Sequence, residues 1–212
     1  MKKNEILTEV KNSLEEYGFI HLVKPEISIN TICKSLGVLV LKKDIRIDKS
    51  RERLYHFPDE IPYHSDHPIA KVVIWKCMEN EKGNIGALNL IDLKLILGNF
   101  KNPELFKEIY LSIPNFYDIP FDDYVSLIKL EGTSQRVFYA ERLGKEFLSE
   151  KHKKAFNNLG KAIKKAKHHS INMMKDDILI IDNHRMIHGR KKLSMHSKRH
   201  LVRYWLKNDM VF

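Results

Sequence analysis

Apolar residues recur at helical spacing near the start of the chain and at strand spacing through much of the rest. Ile6, Leu7, Val10, Leu14 and Tyr17 mark one face of a helix over residues 4–17, with Gly18 as its C-cap. A short strand at 19–23 follows, then a helix over 28–36 closed by Gly37, then a short apolar stretch at 38–41. The segment KVVIWKCM at 71–78 is rich in β-branched and aromatic residues, and 87–91 is similar, so both read as strands. Residues 102–110 read as a helix with Pro103 in the first turn. Residues 124–130 and 136–140 flank Gly132-Thr133-Ser134 and read as a hairpin. A basic helix is predicted over 150–168, with Ala155, Phe156, Leu159, Ile163 and Ala166 on one face. His168 and His169 close it, where cationic side chains suit the helix dipole. DILIIDN at 177–183 and RHLVRYWL at 199–206 return to strand. Many short strands with a few flanking helices predict a mainly β fold, an antiparallel barrel or double-sheet jelly roll.

Composition narrows the setting. A chain of 212 residues can bury a sizeable core. It shows no repeat, low-complexity tract or Pro/Gly/Ser linker, so residues 1–212 read as one domain. No apolar run approaches the roughly 20 residues that span a bilayer, and acidic residues interrupt the first apolar stretch, so no membrane partner or signal peptide is expected. Cys33 and Cys77 stand far apart in apolar surroundings. They read as buried thiols of a reducing cytoplasm, without zinc spacing. The net charge of +10 is compatible with nucleic acid, an anionic membrane, an acidic partner or an anionic substrate. Lysine is spread over the whole chain, densest between Lys151 and Lys167, and a solvated Lys-rich surface is its commonest cause. No nucleic-acid-binding motif accompanies it, so none is expected as a partner.

Two short segments carry chemistry. In His64-Ser65-Asp66, residues i and i+2 of an extended chain share a side, so His64 and Asp66 can grip one ion. Alone this is weak, since one His-x-Asp is close to what chance provides and a surface histidine beside a turn aspartate is the plainer reading. Far downstream, the apolar strand of DILIIDNHRMIHGRKKL runs into His184 and His188. One histidine from here with His64 and Asp66 makes a 2-His-1-carboxylate set that leaves three positions open on an octahedral ion and suits Fe(II). His184 and His188 share parity, so spacing does not separate them. Two arginines favour His188: Arg199 lies eleven residues beyond it, in a strand-like segment, and Arg203 four further. A return strand brings both beside the pocket, where a guanidinium fork can anchor the far carboxylate of a dicarboxylate chelate.

His64-Ser65-Asp66, the strand ILIIDN leading to His188-Gly189-Arg190, and the ending Lys198-Arg199-His200-Leu201-Val202-Arg203 together resemble the taurine dioxygenase/clavaminate synthase-like family of Fe(II)/2-oxoglutarate oxygenases, over roughly residues 60–206. The resemblance implies a double-stranded β-helix core, iron held by His64, Asp66 and His188, and the distal carboxylate of 2-oxoglutarate held by Arg199. It implies Arg203 near the co-substrate and an anionic substrate group. Many relatives carry a Gly-Gly-x-Thr segment whose Thr contacts 2-oxoglutarate. Here the stretch is Gly86-Ala87-Leu88-Asn89-Leu90, without Thr, and Asn89 is the candidate replacement. Asp66 implies hydroxylation, or a related desaturation or cyclisation, rather than halogenation, because halogenases of the superfamily lack that carboxylate.

The resulting expectation is a dioxygenase using Fe(II), 2-oxoglutarate and O2 to hydroxylate an unactivated C–H of a small molecule, with succinate and CO2 as co-products. The substrate is an amino acid or related carboxylate, free or tethered to an acidic carrier protein. Competing readings are a protein or nucleic-acid hydroxylase or demethylase, and a non-catalytic jelly roll that binds a metal for structure. Among the remaining candidates, His67 reads as structural or substrate-lining, and Asp182 and Asn183 as shaping the turn before the iron histidine. Arg185 reads as a structural ion-pair partner, and Tyr55, Tyr63 and Trp75 as core or pocket aromatics.

Overall fold

In the computed structural model, the described residues are 3–48, 56–80, 86–113, 119, 122–131 and 134–207. In chain order the elements are α1 (Lys3–Tyr17), β1 (Phe19–Leu22), α2 (Ile29–Leu36), β2 (Val38–Arg46), β3 (Ile61–His64), β4 (Val72–Glu79), β5 (Leu88–Asp92) and α3 (Leu93–Gly98). A 3₁₀ helix (Pro103–Glu108) leads to β6 (Ile109–Ser112), β7 (Tyr124–Ser126), β8 (Ile128–Glu131), β9 (Ser134–Val137), β10 (Lys145–Phe147) and α4 (Glu150–Lys165). The chain ends in β11 (His169–Ile171), β12 (Ile178–Asp182), β13 (Met186–Arg190) and β14 (His200–Lys207).

Two antiparallel sheets organise these elements. One has the order β1-β12-β4-β14-β2 and the other β11-β5-β13-β3. Strand alternation then sorts the apolar residues into three layers. On β4, β12 and β14, the residues Val72, Ile74, Ile178, Ile180, Val202, Tyr204 and Leu206 pack outward against Ile6 and Val10 of α1 and Ile32 and Cys33 of α2. The alternate residues Val73, Trp75, Cys77, Leu179, Ile181, Leu201 and Trp205 point inward, against Leu88 and Leu90 of β5 and Met186 of β13. The second sheet's other face, with Ile91 and Ile187, packs against α3, the 3₁₀ helix and Phe156, Leu159 and Ile163 of α4. The result is the mainly β double-sheet jelly roll with flanking helices that the short strands predict.

The elements differ from the sequence expectation where polar residues hide a strand. The apolar stretch at 38–41 extends through Lys42, Lys43 and Asp44 to Arg46, because β2 pairs with β14 along its length. The expected helix at 102–110 is a single 3₁₀ segment that gives way to β6. The hairpin forms as β8–β9, with Gly132 and Thr133 of its turn outside the described residues. The basic helix stops at Lys165, with Ala166 as C-cap. His168 and His169 are therefore not helix caps: His169 opens β11 and pairs with Leu90 of β5. Among the described residues no helix is long and apolar enough to cross a membrane.

Candidate metal and co-substrate site

The site lies between the two sheets. His64 is the last residue of β3, and its register partner on β13 is His188, so the ladder sets the two imidazoles side by side with ring centroids 4.3 Å apart. Gly189 makes that pairing close: a Cβ there would stand 2.9 Å from the Ile61 carbonyl oxygen. Asp66 comes next, in the loop after β3. Its carboxylate Oδ1 lies 3.8 Å from His64 Nε2 and 3.9 Å from His188 Nε2. One donor atom from each of the three residues falls within 4.8 Å of the others, and this is the one such cluster among the described residues. Cis donors on a first-row ion with bonds of ~2.1 Å sit ~3 Å apart, so moves of about an ångström would close the set.

The protonation states suit metal binding. His64 Nδ1 lies 2.9 Å from the Pro62 carbonyl oxygen, which can only accept, so the proton sits on Nδ1 and Nε2 presents its lone pair to the cluster. Burial pulls the His64 pKa down, and burial together with the His64 charge pulls His188 down to about 3. Both rings are thus neutral near pH 7, the form that ligates. Burial alone would raise the Asp66 carboxyl, but Arg203, the two imidazoles and Trp205 outweigh it and hold it below the usual carboxylate range. Arg203 Nη1 donates to both oxygens of Asp66, at 2.8 and 3.1 Å, and Trp205 Nε1 donates to Oδ2 at 2.8 Å.

A cavity of about 100 Å³ opens beside the cluster. Ile45, Trp75, Leu88 and Leu201 form apolar walls, while Arg190, Arg199 and Arg203 bring three guanidiniums to the same space. Arg199 is only 4% exposed. Burial and the neighbouring Arg190 charge pull its pKa down to about 9, which leaves it a cation at neutral pH. No acidic side chain pairs with it among the described residues. Three neutral or anionic donors at one wall and an unbalanced buried cation at another fit a metal ion chelated by a dianion. Iron and 2-oxoglutarate meet that description, since the keto acid end can chelate while the distal carboxylate meets Arg199.

The other sequence candidates fall in several places. His184 stands apart from the cluster, with Nε2 on the Pro68 carbonyl at 2.8 Å, so His188 is the histidine that joins His64 and Asp66. Asn89 is a correction. His188 pairs with Leu90 and Arg190 with Leu88, so the even-numbered residues of β5 face the cavity. Asn89 projects to the other face of the sheet, the side on which Tyr63 lies. It does not line the cavity, and the apolar Leu88 does. His67 is buried and stacks on Trp205 with ring centroids 5.8 Å apart. Trp75 meets His188 edge-on at 4.8 Å and lines the cavity. Tyr63 packs against the core beneath α4, and Tyr55 lies outside the described residues. Arg185 pairs with Asp92 and donates to the Glu15 and Glu16 carbonyls at the end of α1.

Two contributors were not singled out for the site by sequence reasoning. Arg190 Nη2 donates to the carbonyls of Phe57 and Asp59, tying the approach to β3 onto β13. Trp205 reads as an ordinary core aromatic until β14 turns its indole N–H onto Asp66. The one signal available was strand parity, which places Trp205 on the same face as Arg203.

Residues 100–205 match the family model described as "Taurine catabolism dioxygenase TauD, TfdA family". That span is half the chain and includes His188, Arg199 and Arg203, beginning downstream of His64 and Asp66. No curated protein sequence matches. Among solved structures, an asparagine oxygenase in complex with Fe(II), 2S,3S-3-hydroxyasparagine and succinate is 12% identical, with a TM-score of 0.74 over 96% of this chain and 79% of that one. The non-haem iron oxygenase OrfP in complex with Fe and alpha-ketoglutaric acid is 15% identical, with a TM-score of 0.73 over 97% and 79%. AAD-2 in complex with Mn(II) and N-oxalylglycine is 13% identical, with a TM-score of 0.74 over 99% and 90%. At these identities the likeness is one of fold.

Proposed function

We propose that this chain, which belongs to the taurine catabolism dioxygenase TauD, TfdA family and is an iron(II)- and 2-oxoglutarate-dependent dioxygenase, hydroxylates an unactivated C–H of an amino acid or related small carboxylate. His64, Asp66 and His188 hold the iron, and Arg199 holds the distal carboxylate of 2-oxoglutarate. Arg203 serves Asp66 first and faces the same cavity, where it can meet a substrate anion. Residues 1–212 act as one oxygenase domain. The two buried thiols, Cys33 and Cys77, suit a reducing cytoplasm.

The observation that carries this reading is the convergence on one cavity of a three-donor cluster and Arg199, a buried cation with no acidic partner among the described residues. A structural metal site tends to close its own coordination shell, whereas this one has three donors and an adjoining anion pocket. The overall reaction converts substrate, 2-oxoglutarate and O2 into hydroxylated substrate, succinate and CO2. Bound iron supplies dioxygen activation, with 2-oxoglutarate as the two-electron donor. The chain's own residues orient and insulate. The His64 tautomer is fixed by Pro62, Arg199 sets the co-substrate's direction, and Trp75, Leu88 and Leu201 exclude water from the reacting centre. Amino acids as the substrate class draw support from fold neighbours crystallised with hydroxyasparagine and with (3S)-hydroxy-L-Arg.

The test is anaerobic addition of Fe(II) and then 2-oxoglutarate to metal-free protein, watching for the weak visible charge-transfer band of the chelate. Wild type should develop the band, His188→Ala should not, and Arg199→Ala should need far more 2-oxoglutarate. No band in folded wild type would leave the binding-only jelly roll as the better reading. With O2 admitted, a screen of amino acids, peptides and oligonucleotides should show a one-oxygen mass gain on an amino acid alone. A gain on a polymer would replace the small-molecule reading.

A further inference from the structure

We infer that Trp205 and Asn183 are positioning residues that fix Asp66 for its place in the metal site. The inference rests on the reading above that His64, Asp66 and His188 bind iron. Of the three, only Asp66 lies outside a strand. β3 ends at His64, so no ladder fixes the residue two positions on, and the one anionic donor must be held by other means.

Asn183 holds its main chain. This residue, fully buried in the turn between β12 and β13, accepts the Asp66 N–H on Oδ1 at 2.7 Å. Its amide nitrogen donates to the Ala70 carbonyl at 2.8 Å and, at 3.3 and 3.4 Å, to the carbonyls of Asp66 and His67. Its own N–H reaches the Lys71 carbonyl at 2.9 Å. The loop that carries Asp66 is thereby clamped to the turn that launches the strand of His188.

Trp205 holds the side chain. The indole N–H is a donor only, and it points at Oδ2 from 2.8 Å. The ring is 3% exposed, stacked on His67 and covered by the Arg203 guanidinium at 4.8 Å, so it has little freedom to leave. With Oδ2 tied by Trp205, the carboxyl is restrained from rotating, and Oδ1 stays turned to the two imidazoles. Partners of this kind, one bond removed from the metal, typically govern affinity by 10–100-fold.

The experiment compares full-length wild type, Trp205→Phe and Asn183→Ala, each metal-free, under anaerobic titration with Fe(II). Intrinsic fluorescence reports binding, because both tryptophans of the chain stand at the site and Trp75 remains in Trp205→Phe. Trp205→Phe removes the N–H and, being one ring smaller, leaves a small gap in the core. Its Fe(II) dissociation constant should rise roughly 10–100-fold in protein shown by circular dichroism to be folded, with only a modest fall in the denaturant midpoint. The charge-transfer band formed with 2-oxoglutarate should shift to longer wavelength, because the carboxylate becomes a stronger donor once its hydrogen bond is gone. A role confined to packing would lower the midpoint and leave the band where it is. Asn183→Ala should weaken Fe(II) similarly in protein shown by circular dichroism to be folded. If that variant does not fold, Trp205→Phe decides alone. Wild-type-like affinity and band position in Trp205→Phe would overturn the inference while leaving the metal site standing. A folded wild type that binds no Fe(II) would overturn the underlying reading and this one with it.

Discussion

Under the proposed function, Arg199 is the residue at which co-substrate binding and stability oppose each other. Its guanidinium is buried with no carboxylate partner among the described residues, which is costly, and its pKa, pulled down to about 9 chiefly by burial, expresses that cost in the folded state. Removing the charge should relieve it. Arg199→Met is expected to stabilise the metal-free protein by about 1–3 kcal/mol, read as a higher denaturant midpoint. The same change should raise the 2-oxoglutarate dissociation constant by at least ~100-fold, as loss of a charged, bidentate partner does. A variant that loses stability would mean that Arg199 has a structural partner after all. The residues of the cluster were legible in the sequence because their chemistry is rare in combination: His64, Asp66, His188 and two arginines at fixed offsets. Asn89 was misplaced because the choice between it and Leu88 turns on strand parity, which depends on where β5 begins. One residue of register exchanges the cavity for the opposite face.

At the scale of elements, the turn between β12 and β13 does more than its composition suggests. His184 Nε2 donates to the Pro68 carbonyl, beside the clamp made by Asn183. Burial, reinforced by the Lys71 charge, pulls the His184 pKa down to about 4. In the unfolded chain the ring titrates near 6.5. Between 6.5 and 4 the unfolded state takes up a proton that the folded state refuses, so stability is full above that window and falls as pH drops through it. The loss levels off near pH 4, at roughly 2 kcal/mol for a ring that keeps some exposure. His184→Gln retains an N–H for Pro68 and should flatten the fall in denaturant midpoint between pH 7 and pH 4.5. An unchanged slope would assign the acid sensitivity to other groups. The Gly189→Ala variant tests the neighbouring strand. A methyl group 2.9 Å from the Ile61 carbonyl must push β3 away from β13. The expected cost is ~1–3 kcal/mol, with Fe(II) affinity falling alongside because His64 moves with β3. Elements with a continuous apolar run, such as β4 and β12, or an apolar helix face, such as α1, were readable in advance. β2, β11 and β13 were not, because their lysines, histidines and arginine are supported by ladder partners distant in sequence.

For the molecule as a whole, the net charge of +10 pointed nowhere, because the arginines that matter are buried and the other cations are dispersed. The informative feature is how the two sheets share the site. The four-stranded sheet supplies His64 and His188 from β3 and β13. The five-stranded sheet supplies Arg203 and Trp205 on β14, with Arg199 just before that strand. A metal alone engages chiefly the four-stranded sheet and the Asp66 loop, whereas a chelating dicarboxylate that also reaches Arg199 bridges both sheets. Iron and 2-oxoglutarate should therefore bind cooperatively and stabilise the fold in steps. A ligand at ~100 times its dissociation constant adds about 2.7 kcal/mol, which for a domain of this size is a rise of roughly 5–10 °C in the thermal midpoint. The expected order under anaerobic conditions is metal-free protein lowest, Fe(II) higher, and Fe(II) with 2-oxoglutarate highest, with 2-oxoglutarate alone giving little and a chelator reversing the gain. Arg199→Met should abolish only the second increment, and His188→Ala both. A full rise with 2-oxoglutarate alone would place its site away from the metal and separate the two functions assigned here to one cavity.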